Sequence, residues 1–143
     1  MSVALLDVNV LLALLDADHA DHERADGWAE QGLESGWATC ALTQNGFVRI
    51  LAQPTYPNSV PATAAVDLLR AATADDRHVF WPCNVALTDE IIRSDRILGP
   101  RQITDVYLLA LAVAHDGRFV TLDRGIDHTL VQGATAAHLH VLS

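Results

Sequence analysis

An α/β domain with a mainly parallel central sheet flanked by helices is what the 143 residues predict. Five short apolar runs, VALLD, WATC, HVFWP, RFVTLD and HLHVL, alternate with longer stretches whose apolar residues recur at helical spacing. VALLD and RFVTLD read as buried strands, and parallel sheets covered on both faces have such strands. Half of the residues are hydrophobic and 19% are charged, which suits one domain with a sizeable core, spanning residues 1–143.

The first strand, VALLD, leads into an apolar helical stretch, NVLLALLDADH, and then an amphipathic helix over roughly residues 20 to 35, which Gly36 breaks. WATC is the second strand. The helix LTQNGFVRILAQ follows, with Leu42, Phe47, Val48, Ile50 and Leu51 near helical spacing. Pro54, Pro57 and Pro61 mark a loop, and Pro61 suits the start of the next helix, whose buried side is expected from Ala65, Leu68 and Leu69. HVFWP is the third strand, LTDEIIRSDRIL a short helix and GPRQ a turn. ITDVYLLALAVAHDG is a strongly apolar helix closed by Gly117, and RFVTLD and HLHVL complete the sheet. His138 and His140 should share one face of that last strand.

Cys40 and Cys83 lack the spacing of a zinc or redox motif and are expected in the core. Trp28, Trp37, Trp81 and Phe47 sit in apolar surroundings, which favours packing over stacking on bases. His19 and His22 are too few for a metal site of their own. No apolar run approaches the ~20 residues that cross a bilayer, and no basic leader opens the chain, so a cytosolic location is expected. The formal charge of −9 argues against a general positive field for nucleic acid, although a local basic rim is compatible with it. All nine basic residues are arginine. Arg93, Arg96 and Arg101 precede Asp105, and Arg124 follows Asp123.

Three aspartates stand where a long apolar run meets a turn or a helix start: Asp7, Asp105 and Asp123. Each has a local explanation, as helix cap, first-turn acid or turn former. Together at the carboxyl ends of strands they would form an acidic pocket, which is costly unless a cation neutralises it, and oxygen ligands favour Mg²⁺ or Mn²⁺. Aspartyl-phosphate proteins also carry aspartate at strand ends, but they balance the phosphate with lysine, which is absent here.

At these residues the chain resembles the PIN-domain ribonucleases, most closely the VapC toxins of bacterial toxin–antitoxin pairs. LLDVNVLLALLDADHADHERA is similar to the family's opening strand and helix, with Asp7 as first acid and Asn9 as its polar companion. TCALTQNGFVRILAQP resembles the second motif, and LGPRQITDVYLLALAVAHDGRFVTLDRGI matches the regions of Asp105 and Asp123. The resemblance implies a single PIN domain and a Mg²⁺- or Mn²⁺-dependent endoribonuclease that cuts RNA. It further implies a homodimer and a VapB-type antitoxin partner that covers the pocket. Asp7, Asp105 and Asp123 would hold metal and carry catalysis, with Asn9, Gln44 and Arg124 in support. Gln44 departs from the family's usual glutamate, which leaves open a PIN-like module that holds RNA or a protein without cutting.

Overall fold

The computed structural model describes residues 1–143, and its centre is a five-stranded sheet. Strands β1 (Ala4–Leu6), β2 (Trp37–Cys40), β3 (His78–Trp81), β4 (Arg118–Thr121) and β5 (Leu139–Val141) lie in the order β3-β2-β1-β4-β5, every pair parallel. Helices α1 (Val8–Leu15), α2 (His22–Gly32), α3 (Ala41–Leu51), α4 (Ala62–Thr73) and α5 (Ile103–Ala114) connect them. The expected α/β class and all five expected strands are present.

Alternation along the strands divides the core in two. Leu5, Ala38, Cys40, Trp81 and Phe119 pack with α5 on one face. Ala4, Leu6, Trp37 and Val120 pack with α1, α3 and α4 on the other, through Leu11, Phe47, Leu51, Ala65 and Leu69. Because both faces are covered, β1 and β4 are buried at every position, which is why neither alternates between apolar and polar residues. The chain adds β2 and β3 on one side of β1 and then crosses back to place β4 on the other. That reversal opens a crevice between the carboxyl ends of β1 and β4, where parallel sheets bind ligands.

Close approach of the helices depends on small residues. A Cβ on Gly46 of α3 would lie 2.7 Å from Val8 Cγ2, so glycine lets α3 pack directly on the first turn of α1. Gly117 acts in the same way rather than as the helix terminator expected of it. The left-handed residue after α5 is Asp116, at φ 54°, and a Cβ on Gly117 would lie 2.5 Å from the Trp81 ring and 2.7 Å from the Val3 carbonyl.

Several local expectations are corrected. LTDEIIRSDRIL is not a helix: it forms turns, a single 3₁₀ turn over Ser94–Arg96 and an isolated antiparallel bridge from Ile92 to Val131. Ile92 is buried beneath the bridge, so its apolar residues serve an irregular segment. Leu68 and Leu42 are exposed, at 37% and 45%, on the outer sides of α4 and α3. Cys40 is buried as expected, but Cys83 is exposed. His138 closes a 3₁₀ turn over Ala136–His138, where its Nδ1 accepts from the Thr135 N–H, and only His140 belongs to β5.

Candidate active site

Asp7 is the residue at which β1 becomes α1. It caps the helix with extended backbone, and its Oδ1 accepts from the Val8 N–H at 2.7 Å. Its Oδ2 accepts from the Thr121 hydroxyl at 2.7 Å, across the sheet at the end of β4. Only 8% of Asp7 is exposed. Burial pushes its carboxyl above the usual carboxylate range. The Asp123 charge adds to the rise, against the lowering effect of the two hydrogen bonds.

Thr121 is the hub of this corner. While its hydroxyl donates to Asp7, its oxygen accepts the Asp123 N–H at 3.0 Å and an Asn9 Nδ2 hydrogen at 3.4 Å. Asn9 also accepts the Leu122 N–H through Oδ1 at 3.2 Å. One fully buried hydroxyl thus fixes Asp7, Asn9 and the backbone of Asp123 relative to one another. The Asp123 carboxylate is exposed, and its Oδ1 accepts from the Gly125 N–H at 2.8 Å, shaping the turn as well as facing the crevice.

Asp105 comes from the first turn of α5. It is half-buried, and its pKa is raised to about 7, first by burial, then by the charges of Asp7 and Asp123, and by a hydrogen bond with Asp123. The three predicted acids are therefore electrostatic neighbours. Asp105 and Asp123 line one cleft together with Arg101, Gln102, Asp127 and Leu130, and Asp7 is buried beside it. No three carboxylate, histidine or cysteine side chains lie close enough together, as they are placed, to hold a metal ion between them. Carboxylates that repel one another and leave coordination places for water suit Mg²⁺ or Mn²⁺, which retain several waters and need only a few protein oxygens.

Gln44 does not face this cleft. Its Nε2 donates to Thr39 Oγ1 at 3.0 Å, and Thr39 in turn contacts His78 Nε2 at 2.8 Å. Gln44 lines a groove between α3 and α4 instead, beside Val66, Leu69 and Phe80. Arg124 is exposed and does not line the cleft, and neither do Arg93 and Arg96. His19 and His22 turn to local bonds: His19 Nδ1 accepts from the Asp21 N–H, and His22 Nδ1 lies 2.7 Å from the Ala13 carbonyl.

Sequence reasoning missed Thr121, Gln102 and Asp127. Thr121 had a signal, as a hydroxyl in an otherwise apolar strand two residues before a candidate acid. Asp127 had a weaker one, four residues beyond Asp123 in a turn-forming segment.

A PIN domain profile matches residues 4–130. The chain belongs to the PIN-domain family. It is 58% identical to the ribonuclease VapC44 of Mycobacterium tuberculosis over 140 residues, covering 97% of this chain and 99% of that protein. It is 41% identical to the ribonuclease VapC29 of the same organism over 87% of this chain and 88% of the relative. These likenesses make it a VapC-type ribonuclease toxin. Among solved structures, M. tuberculosis VapC20, described as a sarcin–ricin loop cleaving toxin, aligns with a TM-score of 0.58 at 16% identity over 80% of this chain and 85% of that one. VapBC2 from Rickettsia felis, bound to a DNA fragment from its promoter, aligns with a TM-score of 0.53 at 12% identity, covering 85% of this chain and 88% of that one. At those identities the likeness is one of fold.

Proposed function

We propose that this PIN domain is a Mg²⁺- or Mn²⁺-dependent endoribonuclease that hydrolyses RNA phosphodiester bonds at the cleft of Asp7, Asp105 and Asp123. The observation that carries the reading is the gathering of three carboxylates at one corner, where burial first and then the charges of Asp7 and Asp123 raise Asp105 to about 7. Such a cluster is destabilising without a cation and attracts one. A bound divalent ion would supply positive charge against the phosphate and acidify the attacking water. Asp105, Asp123 and Asp7 would hold it. Thr121 keeps Asp7 oriented, so that carboxylate need not reorganise as charge develops. Asn9 holds the Leu122 N–H and, with Thr121, the backbone that delivers Asp123. Since Asp105 is about half protonated near neutrality in the metal-free protein, cation binding releases a proton there and strengthens as pH rises.

The relevant partners are an RNA substrate and a VapB-type antitoxin, the latter supported by the VapBC assembly of the Rickettsia neighbour. A homodimer is supported by exposed Val66 and Phe80, which line the α3–α4 groove. No helix is long and apolar enough to cross a membrane. The alternative of a non-cutting module drew on Gln44 and on the low basic content; Gln44 bonds to Thr39 and does not line the acidic cleft. Expression in a bacterial host without antitoxin tests the proposal: the wild type should arrest growth and Asp105→Asn should not. Equal toxicity of the two proteins would contradict a role for the acidic cleft.

A further inference from the structure

We infer that Arg101 holds an RNA backbone phosphate next to the scissile one, and that Arg124, the neighbour suggested by sequence, does not. This rests on the nuclease reading above. The cleft that contains Asp105 and Asp123 has one basic side chain in its lining, Arg101. Arg101 belongs to the 3₁₀ turn Pro100–Gln102 that enters α5, on the same segment that delivers Asp105. That turn is tied back by Gln102, whose Oε1 accepts the Leu98 N–H at 2.7 Å, so the arginine is presented from a fixed support.

The other arginines are accounted for elsewhere. Arg24, Arg70 and Arg77 pair with Asp21, Asp67 and Asp75, and these are the three ion pairs of the molecule. Arg118 is buried, with its guanidinium donating to the Ser2 and Gly32 carbonyls. Arg49 lines the α3–α4 groove. Arg93, Arg96 and Arg124 lie outside the cleft lining, although the charge of Arg96 reaches Asp127 at its edge. Arg101 therefore faces a carboxylate-rich cleft without forming an ion pair with any of its acids. A guanidinium in that position is free to take a phosphate in the forked geometry it favours. A strand crossing the cleft would meet acid-held cation at one phosphate and Arg101 at an adjacent one. Phosphate contacts of this kind set the register of the strand without reading its sequence.

The test uses the full chain and a fluorescein-labelled single-stranded RNA of mixed sequence, with cleavage and anisotropy followed across KCl concentrations. Arg101→Gln should raise KM by about three- to tenfold with kcat little changed, and lower the log–log salt slope by about 0.7, the value of one single-strand phosphate contact. Arg101→Lys should recover most of the slope, and Arg124→Gln should match the wild type. Mn²⁺ affinity should be unchanged in Arg101→Gln, a result that a merely disturbed fold would not give. An active wild type whose KM and salt slope are shared by Arg101→Gln overturns the assignment and leaves the nuclease reading intact. Loss of both parameters in Arg124→Gln instead would move the contact to Arg124 and equally overturn it. A wild type that neither cuts nor binds RNA removes this inference together with the reading beneath it.

Discussion

The carboxyl of Asp105 shows how single residues set the behaviour of this site. Its value shifts from 3.8 to about 7 on folding, so the folded chain holds the proton more tightly than the unfolded one. The stabilisation from that proton is fully present below about pH 4 and is lost as pH rises through 7. Metal-free protein should therefore lose thermal stability between pH 5 and 8, Mn²⁺ should restore it, and Asp105→Asn should flatten the dependence, all followed by melting temperature. A melting temperature that is constant over this range, in wild type and variant alike, would show that Asp105 does not titrate with the fold. Thr121 gives a second residue-scale expectation. Thr121→Val keeps the shape but removes the donor to Asp7 and the acceptor for the Asp123 N–H, which costs about 1–3 kcal/mol for buried groups left unpaired. Its melting temperature and RNA cleavage should both fall, and wild-type values for both would show that the hub is dispensable. The acids themselves were legible in the sequence because each borders an apolar run, Asp7 and Asp123 at its end and Asp105 at its start. Thr121 was overlooked because a threonine in a strand has a sufficient explanation in packing.

Elements were readable where a strong period coincided with a clear boundary. β1, β2 and α5 follow directly from their apolar residues, whereas the Ser94 region carries helix-like composition yet closes into turns, since Ile92 is drawn into a bridge with Val131. No local pattern announces that long-range pairing. The same limit applies to α3. The motif placed Gln44 at a site position, but the helix turns it toward Thr39 and α4. Replacing it by glutamate accordingly tests what α3 delivers. Gln44→Glu should leave Mn²⁺ affinity within about threefold of the wild type by calorimetric titration, because a single carboxylate outside the ligand shell acts only through screened charge. A tenfold or greater tightening would show that position 44 reaches the metal.

At the scale of the whole molecule, connectivity decides where the chemistry lies. A sheet that grows on one side of β1 and then on the other leaves its crevice between β1 and β4, and Asp7 directly follows β1 while Asp123 comes two residues after β4. α5 crosses the opposite face and brings Asp105 to the same corner from its amino end. Strand order was not visible in the sequence, since five apolar runs are compatible with several orders, yet the placement of aspartate after strands was enough to locate the site. The net charge of −9 is likewise reconciled by geometry: three acids gather at one corner of the sheet, and one arginine, Arg101, lines the cleft beside them. Cleavage of labelled single-stranded RNA by purified protein, with Mn²⁺, with EDTA, and in Asp105→Asn, tests the central claim most directly. The wild type should cut with Mn²⁺ and stop with EDTA, and Asp105→Asn should lose at least a hundredfold in rate while remaining folded; cutting that persists in EDTA, or undiminished in Asp105→Asn, would contradict a metal-dependent acidic active site.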